Sequence, residues 1–155
     1  MLAPSSCASL MYMRTRALNH SVYRLQYHIV WGTRFRRKYI KSYVRREILY
    51  CFNQAKKDYP TLHFETVNTG EDHVHLQIEI PPNITIAAVV QALKARSSIL
   101  LKKKFKFIRE MYLDGSIWSV GYFVSSVGLD EAAIKRYIQY QEKKDKGSNL
   151  RLGFS

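Results

Sequence analysis

Residues 72–80 read Asp-His-Val-His-Leu-Gln-Ile-Glu-Ile, a run that alternates polar and apolar side chains until Pro81-Pro82 stops it. Such alternation is the pattern of a strand with two unlike faces. Positions i and i+2 of a strand share a face, so His73 and His75 project side by side, roughly 7 Å apart along the backbone at ~3.4 Å per residue. Val74 and Leu76 fall on the other face. Two imidazoles at that spacing can converge on one divalent cation. The alternative is a pair satisfied by hydrogen bonds, or one ring exposed and one packed.

A second segment bears on that choice. Residues 130–144 read Asp-Glu-Ala-Ala-Ile-Lys-Arg-Tyr-Ile-Gln-Tyr-Gln-Glu-Lys-Lys. Asp130 suits a helix start, and Lys143 and Lys144 complement the dipole at its end. Ile134, Tyr137, Ile138 and Gln141 recur at i, i+3, i+4 and i+7, one helical stripe. Gln141 is the odd member, because a buried amide needs a partner. A metal is one such partner, and Tyr137 lies one turn away on the same stripe. Tyr137 as a core aromatic with its hydroxyl at the rim is the plainer reading.

The remaining pattern predicts one folded unit. Residues 22–31 alternate as a strand, 32–41 form a basic turn, and 42–59 a helix stopped by Pro60. Residues 62–69 and 73–80 read as a strand pair joined through Gly70-Glu71-Asp72. Residues 84–104 are helical with a break expected near Ser97-Ser98, 105–117 irregular or partly helical, 119–127 a strand and 130–144 the last helix. The order βαββαβα predicts an α+β, ferredoxin-like βαββαβ sandwich with an added C-terminal helix. Residues 1–20 lack periodicity and are expected to be flexible, with translation starting at Met1 or downstream at Met11 or Met13. The folded domain is expected over 21–145, and a flexible tail over 146–155.

With 25 Lys+Arg against 12 Asp+Glu, the formal charge is +13. That favours a polyanionic partner, nucleic acid ahead of an acidic membrane surface. Two clusters mix base with aromatic. Arg34, Arg36, Arg37, Lys38 and Lys41 surround Phe35 and Tyr39; Lys102, Lys103, Lys104, Lys106 and Arg109 surround Phe105 and Phe107. Such mixtures hold phosphates and stack unpaired bases, although a solvated charged surface would look the same. No run reaches the ~20 apolar residues of a membrane-spanning helix, and no secretory signal is apparent. Cys7 and Cys51 offer neither a disulfide framework nor paired ligand spacing, which fits a cytoplasmic protein.

Four blocks together resemble the single-tyrosine HUH transposases, the TnpA-type enzymes of the insertion-sequence 200/605 group. They are Tyr27-His28-Ile29-Val30-Trp31 with Arg34-Phe35-Arg36-Arg37-Lys38; Asp72-His73-Val74-His75-Leu76; Lys94-Ala95-Arg96-Ser97-Ser98; and Gly121-Tyr122-Phe123-Val124-Ser125-Ser126-Val127-Gly128 with Ile134-Lys135-Arg136-Tyr137-Ile138-Gln139-Tyr140-Gln141. The HUH triplet alone is a weak signal; the four in this order are specific.

The resemblance implies that Tyr137 is the nucleophile and that His73, His75 and Gln141 bind the metal; Tyr140, the other tyrosine near this face of the helix, is the second choice. It implies Mg²⁺ or Mn²⁺, no nucleotide cofactor, and a substrate of single-stranded DNA carrying hairpins. It further implies a homodimer with merged antiparallel sheets, in which Tyr137 of one protomer works beside the histidines of the other. Arg34, Arg36, Arg37, Lys38, Lys94, Arg96, Lys102, Lys103 and Lys104 are the expected DNA-binding residues. Related HUH replication initiators, relaxases and domesticated transposases of repetitive extragenic palindromes are neighbouring readings. A non-enzymatic single-strand nucleic-acid binding module on the same scaffold and a zinc-dependent hydrolase are alternatives from other classes.

Overall fold

The structure, a computed structural model, describes residues 16–18, 20–127, 136, 138–140 and 143. Strands β1 (Arg16–Leu18) and β2 (Ser21–Tyr23) form a small hairpin. There follow β3 (Gln26–Gly32), a 3₁₀ turn (Arg34–Arg36), α1 (Ser42–Ala55), β4 (His63–Thr69), β5 (His73–Glu79), α2 (Ile86–Lys104), α3 (Lys106–Met111) and β6 (Phe123–Ser126). Residues 136, 138–140 and 143 are helical. The main sheet has the order β4-β5-β3-β6 and is antiparallel throughout. With α1 and α2 as crossovers, this is the expected ferredoxin-like sandwich.

One face of the sheet carries the core. Ile29, Trp31, Val74, Leu76 and Ile78 are fully buried there, packed with Val44, Ile48 and Phe52 of α1 and Val89, Leu93 and Leu101 of α2. Trp31 meets Trp118 edge-on at 6.0 Å, so the segment before β6 is part of the same core. Strand pleating then directs His28, Val30, His73, His75 and Gln77 to the face away from these helices.

Three expectations need correction. The strand predicted over 22–31 is two strands, because β2 pairs with β1 and only β3 joins the main sheet. In β1, Arg16 makes an ion pair at 3.3 Å with Glu79, which is buried at the end of β5. The helix α2 runs unbroken through Ser97 and Ser98. Ser97 Oγ donates to the Leu93 carbonyl at 2.7 Å and accepts the Trp118 Nε1–H at 2.8 Å, while Ser98 Oγ accepts the Ile117 amide at 3.2 Å. The serines serve a neighbouring segment instead of breaking their own helix. Finally, β6 begins only at Phe123; ahead of it the Lys94 ammonium donates to the carbonyls of Ser119 and Gly121, which are outside the strand. Gly121 takes φ +86° there, a conformation glycine adopts without penalty. The predicted last helix falls mostly outside the described residues. Among those residues, no helix is long and apolar enough to cross a membrane.

Candidate active site

The alternation in β5 has its expected consequence: Val74, Leu76 and Ile78 are in the core, while His73, His75 and Gln77 are half-buried on the outer face. Across the β3–β5 ladder, Gly32 stands opposite His73, Val30 opposite His75, and His28 opposite Gln77.

His73 is tightly placed. Its Nδ1 lies 2.9 Å from Asp72 Oδ1, and the other Asp72 oxygen is 3.2 Å from Arg36 Nη2. The hydrogen bond from His73 holds the Asp72 carboxyl below its ordinary range; burial opposes this and the Arg36 charge assists it. With its Nδ1 proton given to a carboxylate, His73 keeps the Nε2 lone pair for another partner. Two glycines make room for this chain. A methyl at Gly70 would collide with the His73 ring, and one at Gly32 would sit 2.8 Å from Arg36 Nη1. Arg36 reaches inward because the turn is strained, with Phe35 at φ +61° and Arg36 at φ +52°. Left-handed conformations of non-glycine residues cost about 1–2 kcal/mol each.

His75 has a different neighbour. Its Nε2 lies 3.2 Å from Nδ1 of His28, and the ring centroids are 5.4 Å apart. Val30, directly opposite His75, is buried against Phe123 and Ile138. Ile138 thus brings the C-terminal helical residues onto the histidine face. Tyr137 and Gln141, the expected nucleophile and amide ligand, lie outside the described residues. Tyr140 is described and is exposed.

The donor set suits a divalent cation. The Asp72–His73 contact is the carboxylate–histidine arrangement that orients metal-binding imidazoles, and His75 lies beside it on the same face. Among the described residues, no group of three or more His, Cys, Asp or Glu side chains forms a metal cage. A cation held here by the pair would retain open positions.

The basic residues divide sharply. Arg36 is turned inside. Lys94 is largely buried over Trp31, and burial lowers its ammonium to about 8. Arg96 pairs with Asp58, and Lys104 with Glu47 at 2.5 Å. Arg34 and Arg37 donate to the carbonyls of Asp114 and Met111, and Lys102 to that of Gly115. Lys38 and Lys103 are exposed. Two clusters far apart in sequence therefore meet at the loop 111–115. Sequence reasoning missed the roles of Arg36 and Gly70, and missed His28, whose only signal was its place one strand repeat before Val30.

The family model described as "Transposase IS200 like" matches residues 21–141. Transposases for insertion sequence element IS200 from Salmonella typhimurium and Salmonella typhi are each 28% identical over 140 residues, covering 90% of this chain and 91% of theirs. A candidate transposase from Deinococcus radiodurans R1, known from its crystal structure, is 23% identical with a TM-score of 0.71, covering 83% of this chain and 97% of its own. A tyrosine transposase associated with REP sequences and bound to a REP hairpin superposes with a TM-score of 0.51 at 10% identity, over 87% of this chain and 75% of its own.

Proposed function

Because the chain belongs to the IS200-like transposase family, we propose that it cleaves and rejoins single-stranded DNA beside hairpins at the ends of an insertion sequence. The observation that carries this reading is the placement of His73. Its Nδ1 is fixed by Asp72 on a sheet face shared with His75, and Ile138 brings the C-terminal helical residues to that face.

In this reading His73 and His75, completed by Gln141, hold Mg²⁺ or Mn²⁺. When bound, the cation polarises a phosphodiester oxygen and offsets charge in the transition state. The Tyr137 hydroxyl supplies the nucleophile. Its oxygen bonds to phosphorus as the bond from phosphorus to the 3′-oxygen breaks. The phenolic proton is lost and the departing oxygen gains one, leaving a 5′-phosphotyrosine and a free 3′-hydroxyl. Because the phosphodiester energy is kept in the covalent link, a second 3′-hydroxyl reverses the step on a new strand without a nucleotide cofactor.

The basic surface around the loop 111–115 supplies the phosphate contacts. The REP-hairpin complex of the structural neighbour supports a hairpin as the bound form. We also propose a homodimer with merged sheets, β4 and β6 being the sheet edges among the described residues. In the arrangement that the resemblance implies, the C-terminal helix crosses, so that Tyr137 of one protomer works beside His73 and His75 of the other. Mixing Tyr137→Phe with a His73→Ala/His75→Ala double mutant tests this. Crossed helices restore one working site per heterodimer, and uncrossed helices restore none.

The substrate assignment is tested by offering one sequence both as a hairpin-bearing single strand and as a perfect duplex. Cleavage of the single strand alone, abolished by chelator, is expected. Equal cleavage of both forms, or cleavage in excess chelator, contradicts the proposal. Tight binding without cleavage would favour the non-enzymatic module.

A further inference from the structure

His28 lies on β3, diagonal to His75 across the ladder, and both rings are half-buried on the outer face. Side chains of this length meet across such a diagonal. The 3.2 Å between His28 Nδ1 and His75 Nε2 is a hydrogen-bond distance, so one nitrogen carries the proton and the other accepts it. If His75 Nε2 were the acceptor, a neutral His75 would carry its proton on Nδ1 and have no lone pair left for a cation. If His75 Nε2–H is the donor, the lone pair stays on Nδ1. Only the second arrangement is compatible with His75 as a ligand while the two rings stay bonded.

We propose that His28 is a positioning residue for His75: its Nδ1 accepts the His75 Nε2–H, fixing both the plane of that ring and its tautomer. The proposal rests on the cation reading given above. His73 and His75 then differ in a definite way. Asp72 takes the Nδ1 proton of His73 and leaves Nε2 for the cation, whereas His28 takes the Nε2 proton of His75 and leaves Nδ1. Outer partners of this kind typically govern metal affinity by 10- to 100-fold. On its other side His28 stands opposite Ser125 in the β3–β6 register. Ser125 Oγ is buried and has no hydrogen-bond partner among the described residues, so a polar group stands beside His28 as well.

The test uses the full chain and Mn²⁺. His28→Phe keeps a ring of similar size without nitrogens; His28→Asn returns an amide oxygen near the place of Nδ1; His28→Gln places its amide where Nε2 was. By calorimetric titration, Mn²⁺ affinity should fall about 10-fold or more in the Phe and Gln variants and stay within about threefold of wild type in the Asn variant. Should the Phe variant fail to fold, the contrast between Asn and Gln decides alone. Nitrogen-15 NMR of the metal-free protein at alkaline pH should show His75 as the Nε2–H tautomer, with that preference abolished in the Phe or Gln variant. Equal Mn²⁺ affinity across the folded variants, or an Nδ1–H tautomer of His75 in the wild type, would overturn the proposal. A wild type that binds no Mn²⁺ removes the cation reading itself, and the tautomer measurement still decides the role of His28.

Discussion

Asp72 and His73 are adjacent in sequence, yet the carboxylate folds back so that its Oδ1 lies 2.9 Å from the imidazole Nδ1. Arg36 holds the other oxygen at 3.2 Å, with both acidic and basic side chains largely withdrawn from solvent. His73 is thereby presented in one orientation before any ligand arrives.

The neighbouring acid provides a control. Glu71 pairs with Lys41 at 3.2 Å, but both are about half exposed. Asp72→Ala should lower Mn²⁺ affinity 10- to 100-fold and destabilise the fold by at least about 1 kcal/mol, since it removes the hydrogen-bond partner of His73 and the ion-pair partner of the largely buried Arg36. Glu71→Ala should cost less than about 0.5 kcal/mol and leave metal affinity alone. Titration calorimetry and urea unfolding of the two variants read both effects. Equal responses would contradict the positioning role of Asp72.

Gly70 is expected to be intolerant of the smallest side chain. The added methyl of Gly70→Ala would overlap the His73 ring, which must rotate away from Asp72. Mn²⁺ affinity should drop by about tenfold or more, while far-ultraviolet circular dichroism stays that of the wild type. Unchanged affinity would show that the ring moves without consequence.

Lys94 gives a pH signature. Burial depresses its folded-state pKa from 10.5 to about 8. Between those values the unfolded chain binds more protons than the folded one, so this residue's contribution to stability rises as pH increases from about 8 to 10.5. Relative to Lys94→Met, the wild type should gain stability across that window and show no such trend from pH 6 to 7. A flat difference would mean that the buried ammonium is not destabilised. Because Lys94 is committed to the carbonyls of Ser119 and Gly121, the folded Lys94→Met protein should bind hairpin DNA as the wild type does.

The basic surface can be divided by salt dependence. The slope of log affinity against log salt falls in magnitude by roughly 0.7–0.9 for each phosphate that is no longer neutralised. Lys38→Ala/Lys103→Ala should lower the slope without altering thermal stability, as both side chains are exposed. Arg96→Ala should leave the slope unchanged, its charge being matched by Asp58. Filter binding across a salt series would show the opposite ordering if the ion-paired residue were the one that touches DNA.

The alternation of β5, the β4–β5 pair and the amphipathic α1 were legible because burial of one face leaves a period in the sequence. The hairpin β1–β2 was not, because strands of three residues are too short to show one. Ser97-Ser98 reads as a weak point in a helix until Trp118 and Ile117 supply the partners that justify burying hydroxyls. The histidine pair was visible through its spacing. Its surroundings were not: Arg36 looked like one more member of a basic run, and only the left-handed turn at Phe35 shows that it points inward. His28 sat within an apolar strand pattern with nothing to tie it to a residue 47 positions away. Charge counts reveal the partner's sign, but not which cations are already matched within the fold.

In the proposed reaction, Tyr137 attacks the DNA at the site marked by His73 and His75. The most direct measurement incubates the protein and Mg²⁺ with hairpin-bearing single-stranded DNA from the flanks of its own gene, then isolates any denaturant-stable adduct for peptide mass spectrometry. The expected result is an adduct on Tyr137 in the wild type and none in Tyr137→Phe or the His73→Ala/His75→Ala protein, each still binding the hairpin. An adduct on Tyr140, or one formed undiminished by the double histidine variant, would contradict that claim.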